Sequence, residues 1–253
     1  VIDTIAGTAT RTAMGADLSG AIKWLGGVLG PDGKIYGMPY GSTNILVIDT
    51  IAGTATRTAM GADLSEADKW LGGVLGPDGK IYGMPCGSTN ILVIDTIAGT
   101  ATRTAMGADL SGATKWYCGV LGPDGKIYGM PYGSTNILVI DTIAGTATRT
   151  AMGADLSGAT KWYCGGVLGP DGKIYGMPYG STNILVIDTI AGTATRTAMG
   201  ADLSEASKCH GGVLGPDGKI YGMPYGSTNI LVIDSSYVGF NDQLILSPYL
   251  NKF

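Results

Sequence analysis

The stretch GPDGKIYGMPYGSTNILVIDT, residues 30–50, decides the architecture because it combines turn signals with strand signals. Pro-Asp-Gly at 31–33 suits a tight turn, since proline presets φ and glycine accepts positive φ. Residues 34–38 follow as a short strand, and Pro39 ends it. Residues 44–49 are dense in β-branched side chains and give the strongest strand signal of the chain. The stretch therefore predicts antiparallel strands joined by tight turns.

The residues on either side of this stretch predict two more strands. Apolar residues 24–29 run into the first turn, and residues 50–53 turn the chain again. Residues 54–60 alternate polar and small side chains, a pattern typical of an outer strand with one face in water. Residues 61–67 form a link, with room for one helical turn, that can cross to a new unit. Four short strands in this order form a meander.

The meander recurs almost unchanged, beginning at Val1, Val47, Val93, Val139 and Val186. A fixed period in this range marks a repeat architecture, and four strands per period match the blades of a propeller around a channel. We therefore predict an all-β fold, a five-bladed β-propeller of near-identical four-stranded blades. A β-solenoid is the alternative, but three different turn chemistries within each period favour the propeller.

The domain organisation follows from which strand of the repeat comes first in the chain and which comes last. An outer-strand sequence at 8–14 precedes the first inner strand, and the last inner strands end at Asp234 without an outer strand of their own type. We expect residues 1–234 to form one propeller that the N-terminal strand closes by pairing with the last blade, which removes an exposed sheet edge. We expect the divergent tail, 235–253, to pack on or beside the last blade, where 243–246 could compete for the same edge.

Composition argues against several classes of function. A net charge of −4 with 14% charged residues gives no basic footprint for nucleic acid. Apolar runs such as 45–48 stop far short of a bilayer span. No nucleophile-elbow, zinc-protease, P-loop or dinucleotide motif appears. We therefore expect no nucleic-acid partner, no membrane span and no cofactor. Because a repeat leaves no titratable pair unique to the channel, we also expect no enzymatic activity.

The turn at 31–34, Tyr36, the Gly-Ser-Thr-Asn segment at 41–44 and Val-Ile-Asp-Thr at 47–50 resemble the YVTN family of β-propeller repeats. This resemblance extends over every repeat. It implies a propeller, commonly with seven blades and shorter repeats, and a relation to surface-layer and cell-envelope proteins. Related propellers act as lactonases or carry redox cofactors held near histidines. This chain has a single histidine, so the redox function is not implied here.

The copies differ mainly in one window, the crossover into the inner strand, which is 20–26 in the first copy. We expect it near the channel mouth, where loops on a rigid scaffold carry function; drift in a tolerant loop is the alternative. The candidate ligand-binding residues are four tryptophans, the histidine, and the tyrosine of each second strand. They are Trp24, Trp70, Trp116, Trp162, His210, Tyr36, Tyr82, Tyr128, Tyr175 and Tyr221.

The tryptophans have two interpretations. Indoles at the mouth could stack on a sugar or clamp a peptide. Alternatively, each indole packs between neighbouring blades. Cys209 replaces the tryptophan in the fifth copy, which either opens one gap between blades or removes one of several equivalent pockets. Three thiols with His210 would suit zinc, but their spacing puts them on successive blades, so we predict no metal site. The four cysteines, Cys86, Cys118, Cys164 and Cys209, indicate no disulfide framework and no compartment.

The sequence thus predicts a non-catalytic scaffold or a binding propeller that uses its crossover loops. A lectin-like, multivalent glycan-binding module is the alternative, and the ligand is a protein or a glycan. Near-identical blades can exchange between chains at little cost, so we also expect self-association by blade exchange. Such uniformity is typical of recent duplication or of design.

Overall fold

The computed structural model describes residues 1–66 and 68–235, apart from the side chain of Cys164. Regular structure in this part of the chain is entirely β-strand, and it contains no helix that could cross a membrane. The strands are β1 (Ile2–Asp3), β2 (Thr8–Ala9), β3 (Trp24–Leu29), β4 (Ile35–Pro39), β5 (Ile45–Asp49), β6 (Thr54–Thr58), β7 (Trp70–Leu75), β8 (Ile81–Pro85), β9 (Ile91–Asp95), β10 (Thr100–Thr104), β11 (Trp116–Leu121), β12 (Ile127–Pro131), β13 (Ile137–Asp141), β14 (Thr146–Thr150), β15 (Trp162–Leu168), β16 (Ile174–Pro178), β17 (Ile184–Asp188), β18 (Thr193–Thr197), β19 (Cys209–Leu214), β20 (Lys219–Pro224) and β21 (Leu231–Asp234).

The strands form a series of antiparallel meanders that we number blades 1 to 5. Blades 1 to 4 each contain four strands in chain order, from β3–β6 to β15–β18. Blade 5 contains β19, β20 and β21, and β1 pairs with β2 in a separate hairpin. The inner strand of each blade contacts the inner strand of the next. This arrangement confirms the predicted all-β propeller class over the solenoid alternative.

Two turns close every complete blade. In the first, the N–H of Gly33 donates to the carbonyl of Gly30 at 3.0 Å, and Gly33 adopts the left-handed φ of 81° that glycine tolerates. In the second, the carboxylate of Asp49 accepts the backbone N–H groups of Ile51 and Ala52 at 3.1 and 2.8 Å. These local bonds explain why the same residues recur at the same offsets.

The core lies between blades rather than within them. Each blade presents one face, which we call the leading face, to the blade that follows; in blade 1 it carries Tyr36, Met38 and Ile45. The opposite or trailing face of blade 2 receives it with Trp70 and Ile81, all five side chains being almost fully buried. Burying one such side chain stabilises the fold by about 1.5–3 kcal/mol. The same cluster repeats at the next two contacts, and in a smaller form between blades 4 and 5.

A β-bulge interrupts every inner strand just after its first residue. In blade 2 the register shifts between Trp70 and Gly73, and Gly72 has a φ of 72°. In blade 3 the equivalent residue is Cys118, which takes a φ of 53° that is unfavourable for a residue with a Cβ. Blade 4 absorbs the extra residue of its copy in a longer bulge, between Trp162 and Gly166.

The crossovers contain no helical turn in the described residues, contrary to the single turn for which the sequence left room. Met60 and Gly61 have φ values of 49° and 87°, which break a right-handed helix at its start. The carboxylate of Asp63 then accepts the N–H of Ser65 at 3.0 Å, a local turn that competes with helix formation.

The two ends of the chain differ from the interior blades. Ile2 pairs with Ala9 and Asp3 with Thr8, the register that β5 and β6 also adopt, where Ile48 pairs with Ala55. Strand β2 pairs with β1, and among the described residues β21 has no partner other than β20. Closure of the propeller by the N-terminal strand therefore stays a prediction. Apart from Ser235, the predicted position of the tail, 235–253, lies outside the described residues.

Candidate functional site at the crossover mouth

The crossovers and the loops that follow each second strand leave the blades at the same end. Two positions per blade line the channel there: the second residue of the inner strand and the residue after the proline that ends the second strand. We call these ten residues the mouth: Leu25, Tyr40, Leu71, Cys86, Tyr117, Tyr132, Tyr163, Tyr179, His210 and Tyr225.

The mouth side chains of different blades converge. Leu71, Cys86 and Tyr117 are buried in one cluster, and side chains from blade 1 to blade 4 pack against it. The composition changes around the channel. Blades 1 and 2 supply Leu25, Leu71, Cys86 and a single ring, Tyr40, whereas both mouth residues of each later blade carry a ring. The mouth thus has an aliphatic side and an aromatic side.

Six rings form a continuous series along the aromatic side. Tyr117 stacks on Tyr132 with centroids 4.1 Å apart and an interplanar angle of 12°. Tyr163 meets Tyr117 edge to face at 5.0 Å and lies 4.1 Å from His210. Tyr225 stacks on His210 at 5.4 Å, and the sixth ring, Tyr179, joins Tyr163 at 5.2 Å. Such offset and edge-to-face pairs contribute about 0.5–1.5 kcal/mol each beyond area burial, so the rings hold one another in place.

Solvent reaches the rings unequally. Tyr117 is buried, Tyr132, Tyr163 and Tyr179 are half-buried, and His210 is exposed. Tyr225 is the most open of the rings, at 65% exposure. A ligand would therefore find ring edges and faces on blades 4 and 5, supported from below by the buried part of the series.

The buried part of the mouth is uncharged near neutral pH. Burial, followed by the neighbouring Cys86, raises the pKa of Tyr40 to about 12. Burial also raises the pKa of the Cys86 thiol, which a hydrogen bond from Tyr117 only partly opposes. Since the thiolate is the reactive form, Cys86 is a packing residue and not a nucleophile.

A ring of lysines lies directly beneath the mouth. Lys69, Lys115, Lys161 and Lys208 are buried, and each precedes the first residue of an inner strand. The N–H of Lys115 donates to the carbonyl of Cys86 in the preceding blade at 3.0 Å. Its ammonium group donates to the same carbonyl at 3.0 Å and to Gly112 at 2.6 Å. Equivalent backbone bonds recur at the other three lysines, so this ring ties neighbouring blades together.

Burial makes the charged form of these lysines less favourable than it is in water. Desolvation lowers the pKa of all four, and that of Lys161 falls to about 8. Backbone carbonyls replace the water that the ammonium groups lose, and no carboxylate contacts Lys161 in the described residues. These lysines are closed to a ligand, and their role is structural.

The tryptophans do not line the mouth. Trp70, Trp116 and Trp162 are fully buried, and Trp24 is half-buried at the open side of blade 1. The indole N–H of Trp70 donates to the carbonyl of Asn90 at 2.7 Å, and Arg103 lies over its ring at 5.7 Å. Since Trp116 and Trp162 have the same surroundings, the indoles act as packing residues between blades.

The tyrosines of the second strands lie near the opposite end of the blades. The hydroxyl of Tyr36 donates to the carboxylate of Asp32 at 2.7 Å, which locks the first turn to the strand. The same bond recurs at Tyr82, Tyr128, Tyr175 and Tyr221. Of the residues that the sequence singled out, the structure therefore brings only His210 into the mouth.

The mouth tyrosines were missed as candidates. Tyr117 and Tyr163 fall inside the variable window, and Cys86 replaces a tyrosine at the one variable position outside it. That coincidence was the available signal, but only the fold shows that the two positions meet. Among the described residues, no group of three or more histidine, cysteine, aspartate or glutamate side chains could hold a metal ion.

Blade 5 contains a cavity of about 450 Å³ where the other blades hold an indole. Cys209 takes the place of tryptophan, and Leu203, Lys208 and Asn229 line the same space. In the other blades the carbonyl equivalent to that of Asn229 accepts the indole N–H. This cavity lies between the crossover before blade 5 and strand β21, so a gap between blades at Cys209 stays a prediction.

Comparison with known proteins identifies the fold. No model of a protein family matches the sequence, and no curated protein does. The fold is similar to that of virginiamycin B lyase from Staphylococcus aureus, with 16% identity, a TM-score of 0.63, and coverage of 83% of this chain and 69% of the lyase. It is also similar to an auxiliary nutrient-binding protein from Bacteroides ovatus, with 13% identity, a TM-score of 0.58, and coverage of 83% and 55%.

A third solved structure is the extracellular domain of a hybrid two-component system, BT4673, from B. thetaiotaomicron. It shares 13% identity with this chain and a TM-score of 0.60, over 84% of this chain and 29% of that one. This chain spans about two thirds of the lyase and less of the other two proteins. These likenesses support the propeller fold, and no family match supports the finer resemblance to YVTN repeats.

One expectation from the sequence was wrong. The uniformity of the copies led us to expect no enzymatic activity, yet solved structures with this fold include lyases. Catalysis in a propeller needs only a few substituted positions on otherwise repeated blades. Repetition therefore does not exclude enzymatic activity for this chain.

Proposed function

We propose that this chain is a binding propeller whose mouth holds an uncharged ligand with a flat or ring-shaped apolar face. The observation that carries the proposal is the series of six rings, of which Tyr117, Tyr163 and His210 stand where the first two copies have leucine. The other three rings are the tyrosine that the repeat carries after the second strand, so the substitutions at the inner strands of blades 3 to 5 complete an aromatic surface that the first two copies lack. Because neighbouring rings already restrict each ring, ligand binding would cost little further side-chain conformational entropy.

The chemistry of the aromatic side favours a glycan. Tyr163, Tyr179 and Tyr225 offer ring faces for the apolar face of a sugar and hydroxyl groups for its polar edge. A nutrient-binding protein and extracellular domains among the structures with this fold support binding as the function. The lectin alternative placed one pocket at the tryptophan of each blade. Because Trp70, Trp116 and Trp162 are buried, we propose a single glycan site at the mouth instead.

A glycan array followed by titration calorimetry tests this proposal. Tyr179→Ala and Tyr225→Ala should each weaken binding of the selected glycan about three- to tenfold, as expected for the loss of one aromatic contact. Tyr221→Phe is the matched control, because it alters a tyrosine of the same blade at the opposite end. Loss of binding in the control, or none in the mouth variants, would contradict the proposal.

A second candidate function is catalysis by His210, the one histidine of the chain. It is exposed in the mouth between Tyr163 and Tyr225, where its imidazole is accessible to a bound ligand. A virginiamycin B lyase with a histidine replaced by alanine is described as catalytically inactive, in a structure with quinupristin. Turnover of quinupristin by this chain that is abolished in His210→Ala would establish this function; absence of turnover would leave only the binding function.

A further inference from the structure

The two ends of the blade series present unpaired faces. On the leading face of blade 5, Met223 is 42% exposed, Ile230 60% and Val232 48%. The blade 4 equivalents of Met223 and Ile230 are Met177 and Ile184, which are 0% and 1% exposed because blade 5 covers them, and the equivalent of Val232, Val186, is half-buried. At the other end, the trailing face of blade 1 has Trp24, Leu46 and Ile48 only half-buried.

These two faces match each other. The leading face of blade 5 carries the side chains that the leading faces of blades 1 to 4 press against a following blade. The trailing face of blade 1 carries tryptophan, isoleucine and leucine at the positions that receive a leading face in blades 2 to 4. The contact between a leading face and a trailing face forms four times within the chain. One unpaired leading face, on blade 5, and one unpaired trailing face, on blade 1, are left at the two ends.

The sheet edge of blade 5 also lacks its partner. In blade 1, Val47 pairs with Thr56 and Asp49 with Thr54. Strand β21 repeats the Val-Ile-Asp sequence at 232–234, and residues 8–12 repeat the Thr-Ala-Thr-Arg-Thr sequence of the missing fourth strand. In the free chain the two-residue strand β1, with Ile2 77% exposed, occupies the corresponding edge of β2. The longer β21 can replace it in the same register.

Charge supports the same pairing. Arg57 contacts Asp17 at 3.4 Å and Arg149 contacts Asp109 at 3.2 Å, each arginine reaching the crossover that precedes its own blade. The series continues through Arg103 and Arg196. Within the described residues Arg11 and Asp202 are the two members left without an ion-pair partner. A strand 8–12 placed on β21 brings them together.

The N-terminal segment contacts blade 1 in the way that the end of an outer strand contacts the blade that follows it. The carbonyl of Met14 accepts the N–H of Ala55 at 2.7 Å, as Met60 accepts that of Ala101 between blades 1 and 2. This bond holds residue 14 beside blade 1, where a preceding blade would stand. The bond is the same whichever blade residues 8–12 complete. Both end faces are exposed in the structure, and among the described residues β21 pairs only with β20, so a second chain is the occupant, in place of the closure within one chain that the sequence predicts.

We propose that copies of this chain associate head to tail, with blade 5 of one chain docking on blade 1 of the next. Residues 8–12 of the second copy complete blade 5 as its fourth strand. The contact is heterologous, so it either closes a ring of chains or continues as an open series. It uses the sides and edges of the end blades and leaves the mouth free, so it is independent of the proposed function.

Sedimentation velocity over a range of protein concentrations tests the association. The unaltered chain should shift to larger species as concentration rises, and Met223→Asp should raise the dissociation constant at least tenfold. Ile143→Asp is the matched control, because Ile143 is 78% exposed in a turn away from the end faces. Equal association of all three proteins, or a strictly monomeric unaltered chain, would overturn the proposal.

Cysteine cross-linking identifies the occupant. Thr10 and Val232 become directly opposed in the proposed pairing, within the Cα distance that a disulfide requires. Mixing Thr10→Cys chains with Val232→Cys chains under mild oxidation should give a covalent dimer that contains one of each. In the variant with both substitutions, an internally cross-linked monomer in place of linked chains would show closure within one chain, and so overturn the assignment to a second copy.

Discussion

Interior and end blades carry the same side chains but bury them to different extents. Met130 of blade 3 is 0% exposed and Met223 of blade 5 is 42% exposed, although both follow the same isoleucine, tyrosine and glycine. The repeat specifies what a blade offers, and the neighbouring blade decides whether that surface becomes core. Stability in such a series is a sum of blade terms and contact terms, so the end blades should be the least stable.

The largest expected effect comes from replacing the tryptophan of an interior blade and that of an end blade by alanine. Trp116→Ala should lower the free energy of unfolding by about 3–5 kcal/mol, the cost of emptying a buried aromatic site. Trp24→Ala should cost roughly half as much, because Trp24 is only half-buried while its bond to Asn44 matches that of Trp116 to Asn136. Denaturant unfolding measures both, and equal losses would remove the distinction between interior and end blades.

A second test restores the repeat in blade 5. Cys209→Trp should raise the free energy of unfolding by about 1–2 kcal/mol, because an indole would fill part of the cavity and donate to the carbonyl of Asn229. Cys209→Ala is the control for loss of the thiol alone and should not stabilise. A destabilised tryptophan variant would mean that blade 5 does not reproduce the surroundings of the other blades.

Most of the fold could be predicted from the sequence because the turns are local. Pro-Asp-Gly and the aspartate before each second turn act through bonds within a few residues, so the limits of the strands in blade 1 came within one or two residues. The outer strand predicted at 8–14 was wrong in extent, because only Thr8–Ala9 pairs, with the short β1. The mouth depended on contacts between blades. Tyr117 of blade 3 and Tyr163 of blade 4 are 46 positions apart in the chain, and their rings meet edge to face only because the two blades lie side by side. The burial of the four lysines beneath the mouth could not be predicted either, because lysine side chains are mostly exposed in folded proteins.

The free energy of unfolding should depend on pH through two kinds of buried group, the lysines beneath the mouth and the tyrosines of the second strands. Desolvation lowers the pKa of Lys161 to about 8 from 10.5, so between these values the unfolded chain binds more protons and stability should rise with pH. Burial, with a bond to aspartate, raises the pKa of Tyr82, Tyr128 and Tyr175 above 10. Above pH 10 the unfolded chain therefore loses phenolic protons first, and stability should fall.

Unfolding at a series of pH values measures this profile. Lys161→Met should reduce the rise and leave the fall, because the pKa values of the other three buried lysines are also lowered, whereas Tyr128→Phe should reduce the fall and leave the rise. A stability that decreases steadily from pH 8 would show that the lysines are better solvated than their burial indicates.

The smallest expected effect concerns the bulge of blade 3. Cys118→Gly should stabilise the chain by about 0.5–1 kcal/mol, because glycine adopts the φ of 53° without the penalty of a Cβ. The gain is limited, since glycine also increases the freedom of the unfolded chain. Gly72→Cys is the reciprocal change and should destabilise. A loss of stability in Cys118→Gly would show that the thiol contributes more than the backbone strain costs.

The longer bulge of blade 4 shows how such a channel can be varied. One added residue lengthens β15 to seven residues, yet Trp162 still pairs with Pro178 and Gly166 with Gly176, as in the shorter copies. Length changes are thus confined to a few positions beside the opening. A library of insertions placed there could diversify what the channel accepts, while every blade keeps the framework that folds it.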